Sequence, residues 1–314
     1  MAVWHISSRV AKTALLGLVA LDVALVAVAL RSTHVSGIDT SPVSAASASI
    51  APSSISTATA PMSPSPTASV AVAKAPLQTM LVALDSQRAW RVVAGSCSAG
   101  GATLATTADG GKTWVKRDAK FRRIVRLRPT DAQAAFVIGA NSSCAAELKD
   151  TGDGGGTWTS AGDVKTAWFK DPKDPRVVHA PGPATLRPCG RRAVLDLAVL
   201  ATESARVLCA DGLVRSTVNN GGAWTDVGTV DGAVALAVPT VKPGETYVAR
   251  PGAPGCAGVQ ILRVHPRVAV SCMPAFLPKG PGQIAMSLVK GVGWLGVGDT
   301  TMRSTDGLVT WTVA

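Results

Sequence analysis

Residues 107–114 read Thr107-Ala108-Asp109-Gly110-Gly111-Lys112-Thr113-Trp114. The same order returns at Thr151-Gly152-Asp153-Gly154-Gly155-Gly156-Thr157-Trp158 and, more loosely, at Thr217-Val218-Asn219-Asn220-Gly221-Gly222-Ala223-Trp224. A fourth copy is Ser304-Thr305-Asp306-Gly307-Leu308-Val309-Thr310-Trp311, in which Leu308 takes the place of the second fixed glycine. Self-similarity at intervals of tens of residues marks a repeat architecture. Each copy has the chemistry of a tight hairpin turn: the hydroxyl and the Asp or Asn oxygen can hold turn amides, and glycine takes positive φ without steric cost. The Trp then re-enters the sheet and buries a large ring.

The flanking residues read as short strands. Around the first copy they are LVAL, AWRVVAG, ATLATT and TWVKR, and around the second RIVRL, AAFVIG, AAELKD and TWTSA, so each unit holds four strands. Residues 193–230 and 280–314 repeat the unit. The tryptophans that close the four copies are 44, 66 and 87 residues apart, which leaves room for units without the turn. Residues 164–192 fit a short degenerate unit and 231–276 a fuller one. The 238 residues from 77 to 314 then make six units, each near the ~40-residue period of propeller blades. The fold expected is all-β, a β-propeller of about six four-stranded blades, with five or seven left open.

The repeated turn resembles the Asp-box, or BNR repeat, of the sialidase-like and related β-propellers, from about residue 78 to the end. That resemblance implies a turn at the blade periphery, away from the central channel where ligands bind. It therefore implies structural roles for Thr107, Asp109, Gly111, Trp114, Thr151, Asp153, Gly155, Trp158, Thr217, Asn219, Gly221, Trp224, Ser304, Asp306 and Trp311. A sialidase also needs an arginine cluster, a Tyr nucleophile paired with a Glu, and an acid/base Asp. The only tyrosine is Tyr247, with Glu245 two residues away on the same strand face, which does not match the family's pairing from separate blades. Phe121-Arg122-Arg123-Ile124 is similar to the sialidase Phe/Tyr-Arg-Ile-Pro motif, but departs from it at two positions and follows the first turn instead of preceding it. No Gly-x-Ser-x-Gly elbow occurs. In what it lacks, the chain is more similar to the non-catalytic branches, the photosystem II assembly factors and the sortilin-type receptors.

Before residue 77 the composition changes. Residues 13–30, TALLGLVALDVALVAVAL, form an apolar run broken only by Asp22 and preceded by Arg9 and Lys12. That pattern fits an export segment with a positive cytoplasmic flank. We read it as a single-pass anchor in a bacterial cell membrane, with residues 1–12 inside and the C-terminal domain outside. A signal peptide cleaved near Ala27-Val28-Ala29, giving a secreted protein, is the alternative. Asp22 counts against the anchor, since a carboxyl at mid-bilayer costs about 3 kcal/mol. Residues 31–76, rich in Ser, Ala, Thr and Pro, read as a disordered linker.

Of the 31 Lys and Arg, 27 lie after residue 76, against 18 of the 20 Asp and Glu, so the propeller region is basic. Its export address directs that charge away from nucleic acid and toward a protein or an anionic cell-envelope glycan. With period-2 alternation, Arg122, Arg126 and Arg128 share a strand face that would suit an anionic ligand. All six cysteines, Cys97, Cys144, Cys189, Cys209, Cys256 and Cys272, follow the linker, and an even count outside the cytoplasm reads as three disulfides. Fifteen pairings exist. Cys97 and Cys144 follow equivalent strands of neighbouring repeats, and the working expectation is 97 with 144, 189 with 209, and 256 with 272. No Cys-x-x-Cys spacing suggests a metal, and no cofactor or catalytic residue stands out. The function expected is a non-enzymatic, membrane-anchored propeller that binds a protein or envelope partner. The alternatives are a sialidase-like glycoside hydrolase and a carbohydrate-binding module without turnover.

Overall fold

The computed structural model describes residues 74–275, 277–278 and 280–314. The segments expected at 1–12 and 13–30, and the linker up to residue 73, lie outside the described residues. Among the described residues, no helix is long and apolar enough to cross a membrane.

Six antiparallel sheets follow one another along the chain. The first blade is β1 (Thr79–Ala83), β2 (Ala89–Val93), β3 (Thr103–Thr107) and β4 (Val115–Arg117). The second is β5 (Arg123–Pro129), β6 (Ala135–Ala140), β7 (Ala146–Thr151) and β8 (Thr159–Ser160). The third has only three strands, β9 (Phe169–Lys170), β10 (Val178–His179) and β11 (Thr185–Leu186). The fourth is β12 (Val194–Val199), β13 (Ala205–Cys209), β14 (Leu213–Thr217) and β15 (Thr225–Thr229). The fifth is β16 (Ala235–Ala237), β17 (Tyr247–Pro251), β18 (Val259–Arg263) and β19 (Val268–Met273). The sixth is β20 (Ile284–Val289), β21 (Val292–Val297), β22 (Thr300–Ser304) and β23 (Thr312–Val313). The chain is a six-bladed propeller.

Burial follows strand position. Second strands lie between two neighbouring blades and are apolar on both faces, as in AFVIGA of β6 and ARVLC of β13. Outer strands such as β8 and β23 are short and exposed, which limits the free edge they offer to other chains. There is no single core. The buried apolar side chains form six clusters, and each lies at the seam of two adjacent blades.

The seam between the last and first blades uses no exchanged strand, since β1 to β4 are all N-terminal and β20 to β23 all C-terminal. It is held by side chains and turns. Trp294 Nε1 donates to Asp85 O at 2.9 Å, Arg303 donates to Ser86 O, and the amides of Gln78 and Thr79 donate to Gly282 O. Leu81, Ala83, Ala285, Val289 and Trp294 fill its interior.

The third blade lacks its innermost strand. In the other five blades the first strand lines the channel, running from a foot to a mouth. β9 runs the other way. Trp168, just before it, donates from Nε1 to Thr202 O in the mouth-side turn after β12 (2.7 Å), while Pro172, just past it, accepts from Arg123 near the foot of β5 (2.9 Å). In direction, and in carrying its Trp at the start, β9 matches β2 and β21, the second strands of their blades. The channel wall therefore has five staves and a gap.

Candidate functional site

Three groups of residues are candidates for chemistry: the repeated turns, the pairs of titratable side chains, and the central channel. The turns come at the hairpin between third and fourth strands. In each, the hydroxyl of the first residue accepts the amide four positions on at 3.0 Å: Gly111 to Thr107, Gly155 to Thr151, Gly221 to Thr217 and Leu308 to Ser304. The same hydroxyls donate to Asp109, Asp153, Asn219 and Asp306 at 2.8–2.9 Å. Each of those oxygens in turn accepts the amide of Thr113, Thr157, Ala223 or Thr310. Every oxygen of this set is used in shaping its own turn.

The closing tryptophans reach back to the preceding blade. Trp158 meets Trp90 edge to face at 6.1 Å, and Trp224 meets Trp168 at 6.3 Å. Trp114 packs into the cluster around Trp294 of the last blade, with Arg91 over its ring at 4.6 Å. Trp311 Nε1 donates to Ser271 Oγ of the fifth blade at 3.1 Å. The turns and their rings are seam fasteners, not a ligand platform.

Disulfides join Cys97 with Cys144, Cys189 with Cys209, and Cys256 with Cys272. The first spans the seam of blades one and two, the second that of blades three and four, and the third lies within blade five.

The arginines expected on one face are divided. A β-bulge at Val125 breaks the register of β5 between Ile124 and Arg126, and a bulge shifts the alternation by one residue. Arg122 consequently turns toward the first blade and donates to the carbonyls of Cys97 and Ser98. Arg126 and Arg128 face the channel and the gap, where both line the walls. Of the three arginines expected on one face, Arg126 and Arg128 share it and Arg122 does not.

The channel encloses about 540 Å³. Among the described residues that line it, four are charged, Arg126, Arg128, Lys170 and Asp196, and Thr240 and Ser287 add hydroxyls to an otherwise apolar wall. At the foot, Pro76 and Leu77 cross beneath the ring, and the buried Leu77 donates its amide to Leu195 O at 3.1 Å. Leu195 O also accepts from Lys170 Nζ at 3.0 Å, while Asp196 accepts the amides of Leu197 and Leu236, both at 2.8 Å. Burial pushes the Lys170 ammonium down and the Asp196 carboxyl up; each partner's charge pulls the other partway back. The two groups act on each other by charge, and each is held by backbone groups. A carboxylate inside VLDLAVL was the one sign of it in the sequence. The missing stave left no such sign.

Tyr247 Oη donates to Glu245 Oε2 at 2.7 Å, and Arg263 lies 3.9 Å from the same carboxylate. Burial, followed by the Glu245 contact, pushes the phenol up to about 12. Tyr247 belongs to β17, behind the channel-lining strand, and does not face the arginines of the channel. His179 Nε2 and Asp171 Oδ2 are 2.9 Å apart, with Phe169 stacked on the imidazole at 4.5 Å. Among the described residues, no group of His, Cys, Asp and Glu could hold a metal ion.

No protein-family model matches the chain, and no curated protein matches it. Solved structures do. The chain is similar to the GH74 enzyme of Niastella koreensis, with 12% identity over 74% of this chain and 46% of that one and a TM-score of 0.43. It is similar to YCF48 bound to D1 peptide, with 16% identity over 77% and 82% and a TM-score of 0.30. It is also similar to an Aleuria aurantia lectin in complex with Fucalpha1-6GlcNAc, with 9% identity over 76% and 94% and a TM-score of 0.45. The chain spans less than half the length of that GH74 enzyme. These likenesses concern the fold, and fold does not fix function.

Proposed function

We propose that this chain is a non-enzymatic propeller that binds an anionic protein or cell-envelope partner at the mouth of its channel. The observation that carries this reading is the state of the charges. Lys170 and Asp196 are each bonded to backbone groups and Tyr247 is bonded to Glu245, whereas among the described residues no carboxylate is bonded to Arg126 or Arg128, which line the cavities. A basic, water-accessible recess without an acid/base pair is built to hold an anion, not to turn one over.

We further read the four turns as Asp-boxes, on the strength of their spacing and shared hydrogen bonds. Residues 13–30 are read as the membrane anchor and 31–76 as the tether, which would present the propeller outside the cytoplasm. The hydrolase alternative rests on Tyr247 and Glu245 alone, and their place behind the channel wall favours a structural pair.

The test is cross-linking of the tagged, full-length protein in its native membrane, with capture scored by mass spectrometry against an anchor-only control. A reproducible partner absent from the control supports the proposal. Turnover of a fluorogenic sialoside that is lost in Tyr247→Phe would replace it with the hydrolase reading.

A further inference from the structure

The gap left by the missing stave is a side cavity of about 400 Å³, walled in part by Thr130, Ala161, Ala167, Pro181 and Ala201. Arg126 stands at its junction with the channel. Other arginines that cross seams are tied to backbone carbonyls on the far side: Arg123 to Pro172, Arg206 to Glu245, Arg215 to Pro188 and Arg303 to Ser86. Arg126 donates to none. Its Nε, like those of Arg123, Arg206 and Arg303, is shut off from water without a partner, but its guanidinium, unlike theirs, has no acceptor among the described residues and lies over the Phe136 ring at 5.6 Å. The one carboxylate of the cavity, Asp150, accepts from Thr159 at 2.8 Å. Burial, with Arg128 close by, pushes the Arg126 guanidinium down to about 9. A half-buried cation with no ion-pair partner among the described residues weakens a fold, and such a cost is typical of a site kept for binding.

We infer that Arg126 is the recognition cation for a carboxylate carried on an extended polypeptide, which lies in the place of the missing strand. This deepens the binding role proposed above and rests on it. A carboxylate matches a single guanidinium fork in charge and shape. A phosphate would bring close to a second charge, with only the exposed Arg128 to meet it. Among the described residues, Phe136 and Trp168 are the only aromatic residues on either cavity. Arg126 covers one and the other is fully buried, so neither of these rings is free to stack on a sugar. The gap lies between β5 and β12, where the other blades carry a first strand, so an extended segment is the shape that would fill it.

The test is thermal unfolding of the full-length protein in detergent, as wild type, R126M and R126K. The probes are acetyl-Ala-Glu-Ala-amide, its Gln counterpart, glucuronate and inorganic phosphate at matched ionic strength. Without a probe, R126M should melt about 3 °C or more above wild type, because an unpaired charge is gone. At roughly 10 mM the Glu peptide should raise the wild-type midpoint by about 2 °C, leave R126M unmoved and act at most half as strongly on R126K. A midpoint for R126M below wild type, or a Glu peptide that shifts both alike, overturns the inference. A larger response to phosphate overturns the carboxylate, and a larger response to glucuronate overturns the polypeptide. If R126M does not fold, the R126K comparison decides alone. Capture of a partner by R126M at wild-type yield would sink this inference while the binding role stands; no capture by wild type would remove that role itself.

Discussion

The four turns are four solutions to one small problem, and their differences are instructive. Where the third residue of the turn is Asp, the seventh, just before the Trp, is Thr, and its hydroxyl donates to the second carboxylate oxygen: Thr113 to Asp109, Thr157 to Asp153, Thr310 to Asp306. Where it is Asn219, whose second atom is an NH₂ and cannot accept, that place holds Ala223. The donors also set the titration. The Thr113 hydroxyl and amide hold Asp109 well below the usual carboxylate range, as the Thr157 amide and the Thr151 and Thr157 hydroxyls hold Asp153. The Thr310 hydroxyl and amide hold Asp306 at about 2. Folded values below the unfolded value of about 3.9 mean stability that is present above that pH and lost as pH falls through the folded values. The triple replacement of Asp109, Asp153 and Asp306 by Asn should therefore flatten the fall in urea midpoint from pH 5 to pH 2. An unchanged slope would remove these turns from the acid response. Leu308 poses a second problem, for it holds φ near 75° where the other turns have glycine. Leu308→Gly should relieve about 1 kcal/mol of backbone strain but lose about 2–3 kcal/mol of apolar burial. The net loss, about 1–2 kcal/mol by urea unfolding, should be smaller than that of Gly111→Leu, because a Cβ at Gly111 would lie 2.8 Å from Ala314 Cβ.

At the level of strands and turns, each repeated turn fastens its blade to the one before it, and that role sets what its loss should do. Trp158→Ala and Trp224→Ala should each cost about 3 kcal/mol, the low end of the range for aromatic truncation because the rings are half-buried. Hydrogen exchange should quicken in the mutated blade and also across the seam, in β2 and β3 of the first blade for Trp158 and in β9 and β10 of the third for Trp224. Exchange that quickens only within the mutated blade would contradict the fastening role. The turns were also what made the fold legible. Their spacing, with alternating strands between them, was enough for the blade count and for most strand positions. The gap in the third blade was not legible, because β9, β10 and β11 have two residues each, too few to show a period. The bulge at Val125 was hidden for a related reason. Alternation predicts a face only while the register is unbroken, and one unpaired residue moved Arg122 from the channel side to the first blade.

For the whole ring, what matters is that stability is spread over seams and not collected in a centre. All six seams carry their own apolar cluster, and only two are also crossed by a disulfide. The seam of the last and first blades has no continuous chain through it, yet it is built like the others. It has a tryptophan bonded across to a turn carbonyl, a buried cluster, and a turn glycine, Gly111, set against Trp294. The place where the chain is open should then be interchangeable. Blade-to-blade connections such as 118–122 run from an outer strand to the next inner one in five residues, so a linker of about that length can join Ala314 to Leu77. A circular permutant joined there and opened between Gly280 and Pro281 places the break at the seam of blades five and six. No disulfide crosses that seam, and its cluster, from Leu77 through Met273 to Leu308, is the most extensive of the six. The permutant should fold with the same near-ultraviolet circular dichroism and a melting midpoint within about 5 °C of the parent. A permutant that reaches the native spectrum but unfolds in two steps would show instead that the covalent passage between blades five and six carries stability its packing does not. The foot plug would then be the first place to look, because the joined linker leads directly into Leu77, whose amide donates to Leu195 across the channel.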